Sequence, residues 1–179
     1  MRKSSNGIKV HEPHKAHPQI RARDWRSPLV RRLLLNGKYK DGNCEMGESF
    51  RRKGEEEPVE GTLSLSWVGL KEDFEQVVKT YQDPVITEYA TLGLASILVS
   101  ESAGLEITEV TRRGEKADYW LGDKQLLLEV SGQQSGDLDD LCSQKAAQLR
   151  ENPFRKPGFV CVANYDQRSA RLWFYEVEQ

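Results

Sequence analysis

The stretch DYWLGDKQLLLEVSG, residues 118–132, decides how this chain reads. Successive side chains of a strand point to opposite faces. Over residues 125–131 that places Leu126, Leu128 and Val130 on one face and Leu127, Glu129 and Ser131 on the other. Residues 117–121 (ADYWL) make a second short strand candidate just upstream. Paired as a hairpin, the two bring Asp118 toward Glu129, with the Val130 carbonyl between them. Two carboxylates and a backbone oxygen form a hard, all-oxygen ligand set suited to Mg²⁺ or Mn²⁺. Such an ion polarises a phosphate and acidifies a water for in-line attack. The plainer alternative is that Asp118 caps a turn and Glu129 sits on an exposed strand face.

Two helices flank this stretch, and each carries a charge out of place. Asp83-Pro84 opens the first, with Asp83 as cap and Pro84 at the first helical position. It continues as VITEYATLGLASILVSESAG to about Gly104 and is apolar around its circumference, which predicts burial. Glu88 is the only charged residue between Pro84 and Ser100, on the side of Leu92, Ala95 and Val99. A buried charge calls for a partner or a metal, and a rim position would also account for it. The second helix, at about 138–151, follows the polar loop GQQSGD and stops before Pro153 and Pro157. Its apolar stripe is Leu138, Leu141, Cys142 and Leu149, and Lys145 lies in the centre of that stripe. Lys145 either snorkels to solvent or aims its ammonium at the carboxylates to stabilise a phosphate. Gln144 and Gln148 flank it, placed to bind a phosphate or a water.

Strands predicted at 105–110, 158–164 and 170–177 complete the order α-β-β-β-α-β-β over residues 84–177. That order, with Asp118 followed by Glu129-Val130-Ser131, resembles the restriction-endonuclease-like superfamily of PD-(D/E)XK nucleases over about residues 84–165. The resemblance implies a mixed α/β (α+β) fold with an α-β-β-β-α-β core and a C-terminal hairpin strand. It implies Mg²⁺ or Mn²⁺ held at Asp118, Glu129 and Val130, an assisting acid at Glu88, and a lysine that activates water. Two positions depart from the motif. Ala117 stands where the proline would be, and Ser131 replaces the lysine of the E-X-K element. Some members of the superfamily carry that lysine on the following helix, where Lys145 is the counterpart, and others have become inactive subunits.

The amino-terminal part reads differently. Residues 1–58 hold 14 Lys and Arg against 8 Asp and Glu, and the remainder holds 12 against 20. Residues 1–24, with Pro13 and Pro18, read as extended or disordered, and Ser27-Pro28 to Asn36-Gly37 brackets a short helix at about 28–35. Residues 37–58, rich in glycine and charge, read as a loop or weak hairpin. The chain then divides into a basic extension (1–58) and a nuclease-like domain (59–179). In the latter, residues 59–68 alternate as a half-buried strand. Residues 70–81 place Leu70, Phe74, Val77, Val78 and Tyr81 on one face of an amphipathic helix. Arg21, Arg23, Arg26, Arg31 and Arg32, interleaved with Trp25, could grip a phosphate backbone, and an ordinary solvated helix face explains them almost as well. His11, His14 and His17 are spaced by three, but Pro13 and Pro18 oppose an aligning helix, so they read as a flexible segment with incidental metal affinity. Trp120 and Trp173 read as core or cross-strand partners.

Composition narrows the setting. Three widely spaced cysteines, Cys44, Cys142 and Cys161, make no CxxC pair, so neither a disulfide framework nor a cysteine zinc site is predicted. No apolar run reaches the roughly 20 residues that span a bilayer, and none follows the basic start as a signal peptide requires. A cytoplasmic protein without a membrane partner is predicted, and neither a P-loop nor a GxGxxG pattern occurs. Three functions follow as candidates. The first is a metal-dependent DNA nuclease of restriction, defence or repair, with Glu88, Asp118, Glu129 and Lys145 catalytic and Ser131, Gln144, Gln148, Arg31 and Arg32 meeting the substrate. The second is an inactive relative that binds nucleic acid or a protein partner, a second copy included. The third is an interaction module whose carboxylates are ordinary surface groups.

Overall fold

In the computed structural model, which describes residues 8–10, 12–34 and 42–177, the Leu/Val-rich stretch beginning at Leu126 is a long strand at the heart of one sheet. Eight strands form among the described residues: β1 (Ile8–Lys9), β2 (Gly42–Arg51), β3 (Val59–Trp67), β4 (Ile107–Val110), β5 (Tyr119–Leu121), β6 (Leu126–Gln133), β7 (Gly158–Asn164) and β8 (Ser169–Tyr175). The helices are α1 (Pro13–Ala16), α2 (Arg26–Leu33), α3 (Lys71–Thr80), α4 (Asp83–Leu98) and α5 (Leu138–Arg150). The sheet is mixed, in the order β1-β3-β2-β8-β7-β6-β5-β4. Strands β4, β5 and β6 pair antiparallel, β6 and β7 run parallel on either side of α5 in sequence, and β7 and β8 form an antiparallel hairpin.

The alternation along β6 sorts its side chains between two cores. Leu128 packs with Phe159, Cys161 and Leu172 against Leu94 and Leu98 of α4, a core that extends to Leu29 of α2 and Leu65 of β3. Leu127 packs with Val160 and Val162 against Leu138, Cys142, Ala146 and Leu149 of α5. The two helices therefore lie on opposite faces of the sheet. The wholly apolar circumference of α4 is borne out by an almost unbroken run of buried residues from Ile86 to Leu98. The chain leaves α4 through a π turn, Val99–Ala103, and stops at Gly104 in the left-handed conformation (φ 66°), as a helix-ending glycine allows.

Several local expectations are corrected. Residues 42–51, within the segment read as loop or weak hairpin, form β2 between β3 and β8, and residues 52–58 are the turn that joins β2 to β3. Its period-two signal is Cys44, Met46 and Phe50, all buried, interleaved with polar residues on the opposite face. Residues 12–24, read as extended or disordered, supply α1 and most of a 3₁₀ turn, Ala22–Trp25, that runs straight into α2. That continuity starts α2 at Arg26, with no side-chain cap from Ser27. Asp83 is likewise not a cap. It sits inside the first turn of α4 and pairs with Arg32. Helix α3 forms as read, yet Val78 and Tyr81 are exposed. The two tryptophans behave as read: Trp120 is buried, and Trp173 is a half-buried cross-strand partner that packs against the α5 core. Trp173 donates its indole N–H to Ser49 Oγ at 3.0 Å and lies against the guanidinium groups of Arg51 and Arg171. Among the described residues no helix is long and apolar enough to cross a membrane.

Candidate functional site

Strand β6 is longer than its partner β5, and the site arises from that mismatch. The β5–β6 ladder ends at Tyr119↔Leu128, while β6 continues against β7 as far as Gln133↔Asn164. Past Leu128, β6 has no strand on its β5 side among the described residues, and each amide facing that gap needs another acceptor. Asp118 provides one. Its backbone N–H donates to Leu128 O at 3.0 Å, and its Oδ2 accepts the Val130 N–H at 2.7 Å. The loop before it is held by the Thr111 N–H, which donates to Asp118 O at 2.9 Å, and by Lys116 in the left-handed region (φ 60°). Asp118 is thus both a strand-end lock and a carboxylate at the mouth of an opening.

That opening is a cleft of about 400 Å³ between the two helical layers. Glu88 and Leu92 of α4 line one side, Asp118, Val130, Ser131 and Gly132 the strand edge, and Lys145 of α5 the other side. Gly132 is required there, because a Cβ on it would lie 1.9 Å from Thr91 Oγ1. Thr91 is itself fixed, donating to Thr87 O at 2.8 Å and sharing a hydrogen bond with the Tyr165 hydroxyl at 3.1 Å. At this position the approach of α4 to β6 leaves no room for a side chain on the strand.

Behind the cleft is Glu129, fully shielded from solvent. Lys145 Nζ donates to its Oε1 at 2.6 Å and to Gln148 Oε1 at 3.3 Å. Glu129 Oε2 is buried with no hydrogen-bond partner among the described residues. Burial, then the nearby charge of Asp118, push the Glu129 carboxyl up to about 7 against the opposing pull of Lys145. Asp118 is also raised, chiefly by burial and slightly by Glu88, with the Val130 amide and Lys145 opposing. Two buried carboxyl groups, one of which raises the other, beside an ammonium make an electrostatically strained cluster, the kind of arrangement found where chemistry is done. A carboxylate oxygen shut away without a donor is unfavourable unless a proton or a cation satisfies it.

Of the residues singled out in the sequence, Glu88, Asp118, Val130, Ser131 and Lys145 line this one cleft, and Glu129 joins it through Lys145. Glu88 is exposed at the rim, and Val130 takes part through its N–H to Asp118. Gln148 touches Lys145, while Gln144 is exposed on α5 and does not line the cleft. Arg31 is half-buried on α2, and Arg32 is buried. Arg32 Nη2 donates to Asp83 O at 2.6 Å and meets Asp83 Oδ2 at 2.7 Å, and Nη1 donates to Gln134 Oε1 at 3.3 Å. It ties α2 to the start of α4 and to the β6–α5 loop. Of the histidines, His11 and the side chain of His14 lie outside the described residues. His17 is fully buried, where a flexible segment was expected. Its Nδ1 accepts the Ile107 N–H at 2.9 Å, so Nε2 carries the proton and donates to Ser96 O at 2.7 Å. Tyr119, a lining residue that the sequence reading passed over, is marked only by its place next to Asp118.

The donor set can be weighed against the ion that the motif implies. No group of three or more His, Cys, Asp or Glu side chains converges as a metal cluster among the described residues. Mg²⁺ is commonly held by one or two carboxylates with waters and substrate phosphates completing its octahedron. The partnerless Oε2 of Glu129, with Asp118 close enough to raise its pKa, fits a two-carboxylate site of that kind. No family model, no curated protein and no solved structure matches this chain.

Proposed function

We propose that this chain is a divalent-metal-dependent nuclease of the restriction-endonuclease-like type, hydrolysing DNA phosphodiester bonds. One observation carries the reading: the buried Glu129 of β6 is bonded by Lys145 of α5 and has a partnerless second oxygen, at the point where Asp118 and β5 part from β6. The order α4-β4-β5-β6-α5-β7, antiparallel through three strands and then parallel, supports it. Mg²⁺ or Mn²⁺ held by Asp118 and Glu129 would supply the Lewis acid that polarises the phosphate and acidifies a water. Lys145 does the work that a lysine at position 131 would otherwise do. Its ammonium lines the cleft and touches Glu129, so it can neutralise charge developing on a phosphate there. Glu88 faces the same cleft from α4 and can orient a water. The Ser131 hydroxyl is available on the strand edge between them.

The test is incubation of the protein with plasmid, linear and single-stranded DNA in Mg²⁺ or Mn²⁺. Cleavage is expected, and Asp118→Ala and Glu129→Ala are each expected to abolish it. Cleavage that survives either substitution removes the site assignment. Ser131 at the motif lysine position favours a second reading, a subunit that binds nucleic acid or a protein partner without cutting. DNA binding that weakens with salt, without cleavage under any metal, supports that reading.

A further inference from the structure

A second cavity, of about 450 Å³, adjoins the cleft and shares Val110 and Tyr119 with it as a common wall. Four aromatic residues line it: Trp25, Tyr81, Tyr89 and Tyr119. Trp25 and Tyr119 meet edge to face with centroids 5.7 Å apart and planes at 74°. Tyr81 and Tyr89 do the same at 5.4 Å and 72°. An edge-to-face pair leaves ring faces that the partner does not cover, and these are what a planar ligand stacks on. The cavity is also built by the backbone that builds the cleft. Tyr119 follows Asp118 into β5, and Tyr89 follows Glu88 along α4. Gln19, Arg21, Asp24, Thr108 and Glu109 edge it, with Arg21 paired to Asp24 and Glu109 to Lys124, so the cavity suits a neutral heterocycle rather than a phosphate.

We infer that this aromatic cavity receives one unpaired nucleobase of the strand whose phosphate lies at Asp118 and Lys145. The inference rests on the nuclease reading and sharpens its substrate class. A base within a duplex has its faces covered by its neighbours, so a recessed stacking cavity admits a base only when it is single-stranded or extruded. Base–aromatic stacking is tolerant of sequence because every base presents a π face. The substrate class is therefore single-stranded DNA, or the unpaired end or flap of a duplex, taken with little base preference.

The experiment uses the full chain with an oligothymidylate carrying one 2-aminopurine, in Ca²⁺ to hold it uncut, and the same strand annealed as a duplex. Quenching of 2-aminopurine on binding the single strand is expected, with the duplex bound at least about tenfold more weakly. Tyr81 is 39% exposed, so its removal leaves the core intact, which a thermal melt verifies. Tyr81→Ala is expected to weaken single-strand binding by about tenfold and to relieve the quenching, and Tyr81→Phe to retain both. Equal binding of single strand and duplex, or quenching unchanged in Tyr81→Ala, overturns the inference. Cleavage that depends on Asp118 and Glu129 without any quenching would remove the cavity's role alone. Tyr81-dependent quenching without cleavage would remove the nuclease reading and leave the cavity as a nucleobase site. No binding of either strand would remove both.

Discussion

His17 and Glu129 are both ionisable and both fully shielded from solvent, yet they are buried in opposite ways. Both nitrogens of His17 are matched to backbone groups, Ile107 N–H on one side and Ser96 O on the other. A protonated ring would turn a second N–H toward the Ile107 N–H, so the surroundings accept only the neutral form. Burial lowers the pKa of His17, with the Ser96 bond and the charge of Glu106 opposing. Glu129 is matched on one oxygen by Lys145 and left partnerless on the other. The first site is closed, and its purpose is to join residues 12–25 to α4 and β4. The second is open on one atom and borders a cleft. Satisfied burial accounts for a structural residue, and under the proposed function the unsatisfied oxygen of Glu129 is where the cation would bind.

Substitutions at the two positions should therefore separate stability from activity. His17→Ala opens a cavity and leaves an N–H and a carbonyl without partners, so the loss of stability expected is about 3–5 kcal/mol. Urea unfolding measures it, and a loss below about 1 kcal/mol would mean that the junction is held elsewhere. Glu129→Gln keeps the volume and removes a buried charge, while the partly exposed Lys145 can turn to water. Stability is expected to be unchanged or to rise by up to about 2 kcal/mol. DNA cleavage by the same variant is expected to fall by about 10²- to 10³-fold or more. A Glu129→Gln protein that is strongly destabilised would make the pair structural, like the histidine, and erase the contrast. Between these lies Gly132→Ala. Its methyl would press on Thr91, whose hydroxyl is already committed to Thr87 and Tyr165. Overpacking of this kind costs about 1–3 kcal/mol, and a thermal melt reads it directly.

The two regions also differ in how far the sequence discloses them. Glu129 and Lys145 were legible because each breaks a strong local pattern, an alternating strand and an apolar helix stripe, and the connection between strand and helix is short. The closeness of Asp118 followed from a hairpin only a few residues long. Strand β2 carried its period-two signal in Cys44, Met46 and Phe50, but glycines and glutamates between them gave the composition of a loop. What its sequence could not reveal is that β2 pairs with β8, more than a hundred residues away. The same distance hid His17 and Arg32. Their partners are Ser96 and Ile107, and Asp83 and Gln134, so nothing nearby distinguishes a buried histidine or arginine from a solvated one. Within the basic stretch, Arg32 is the residue whose acid, Asp83, lies across the fold, whereas Arg21 pairs with Asp24 three residues on.

The smallest effect expected is the most direct comparison of the two sites, because their pH dependences have opposite signs. The pKa of folded His17 is below its ordinary 6.5, so its contribution to stability is present above pH 6.5 and is lost as pH falls toward the folded value. The pKa of folded Glu129 is raised from its ordinary 4.5 to about 7, so its contribution is present below pH 4.5 and is lost as pH rises through about 7. Urea unfolding in EDTA between pH 5 and 8 should then show two trends relative to wild type. The deficit of His17→Ala shrinks as pH falls below 6.5, because the wild type alone is weakened by acid. The relative gain of Glu129→Gln grows as pH rises toward 7, because the wild type alone must ionise a buried carboxyl. If the gain instead shrinks with rising pH, the Lys145 ammonium outweighs burial and Glu129 is held as an ordinary ion pair. The partnerless oxygen would then no longer mark the site as one kept for a cation, and the contrast with His17 would reduce to a difference of sign between two structural residues.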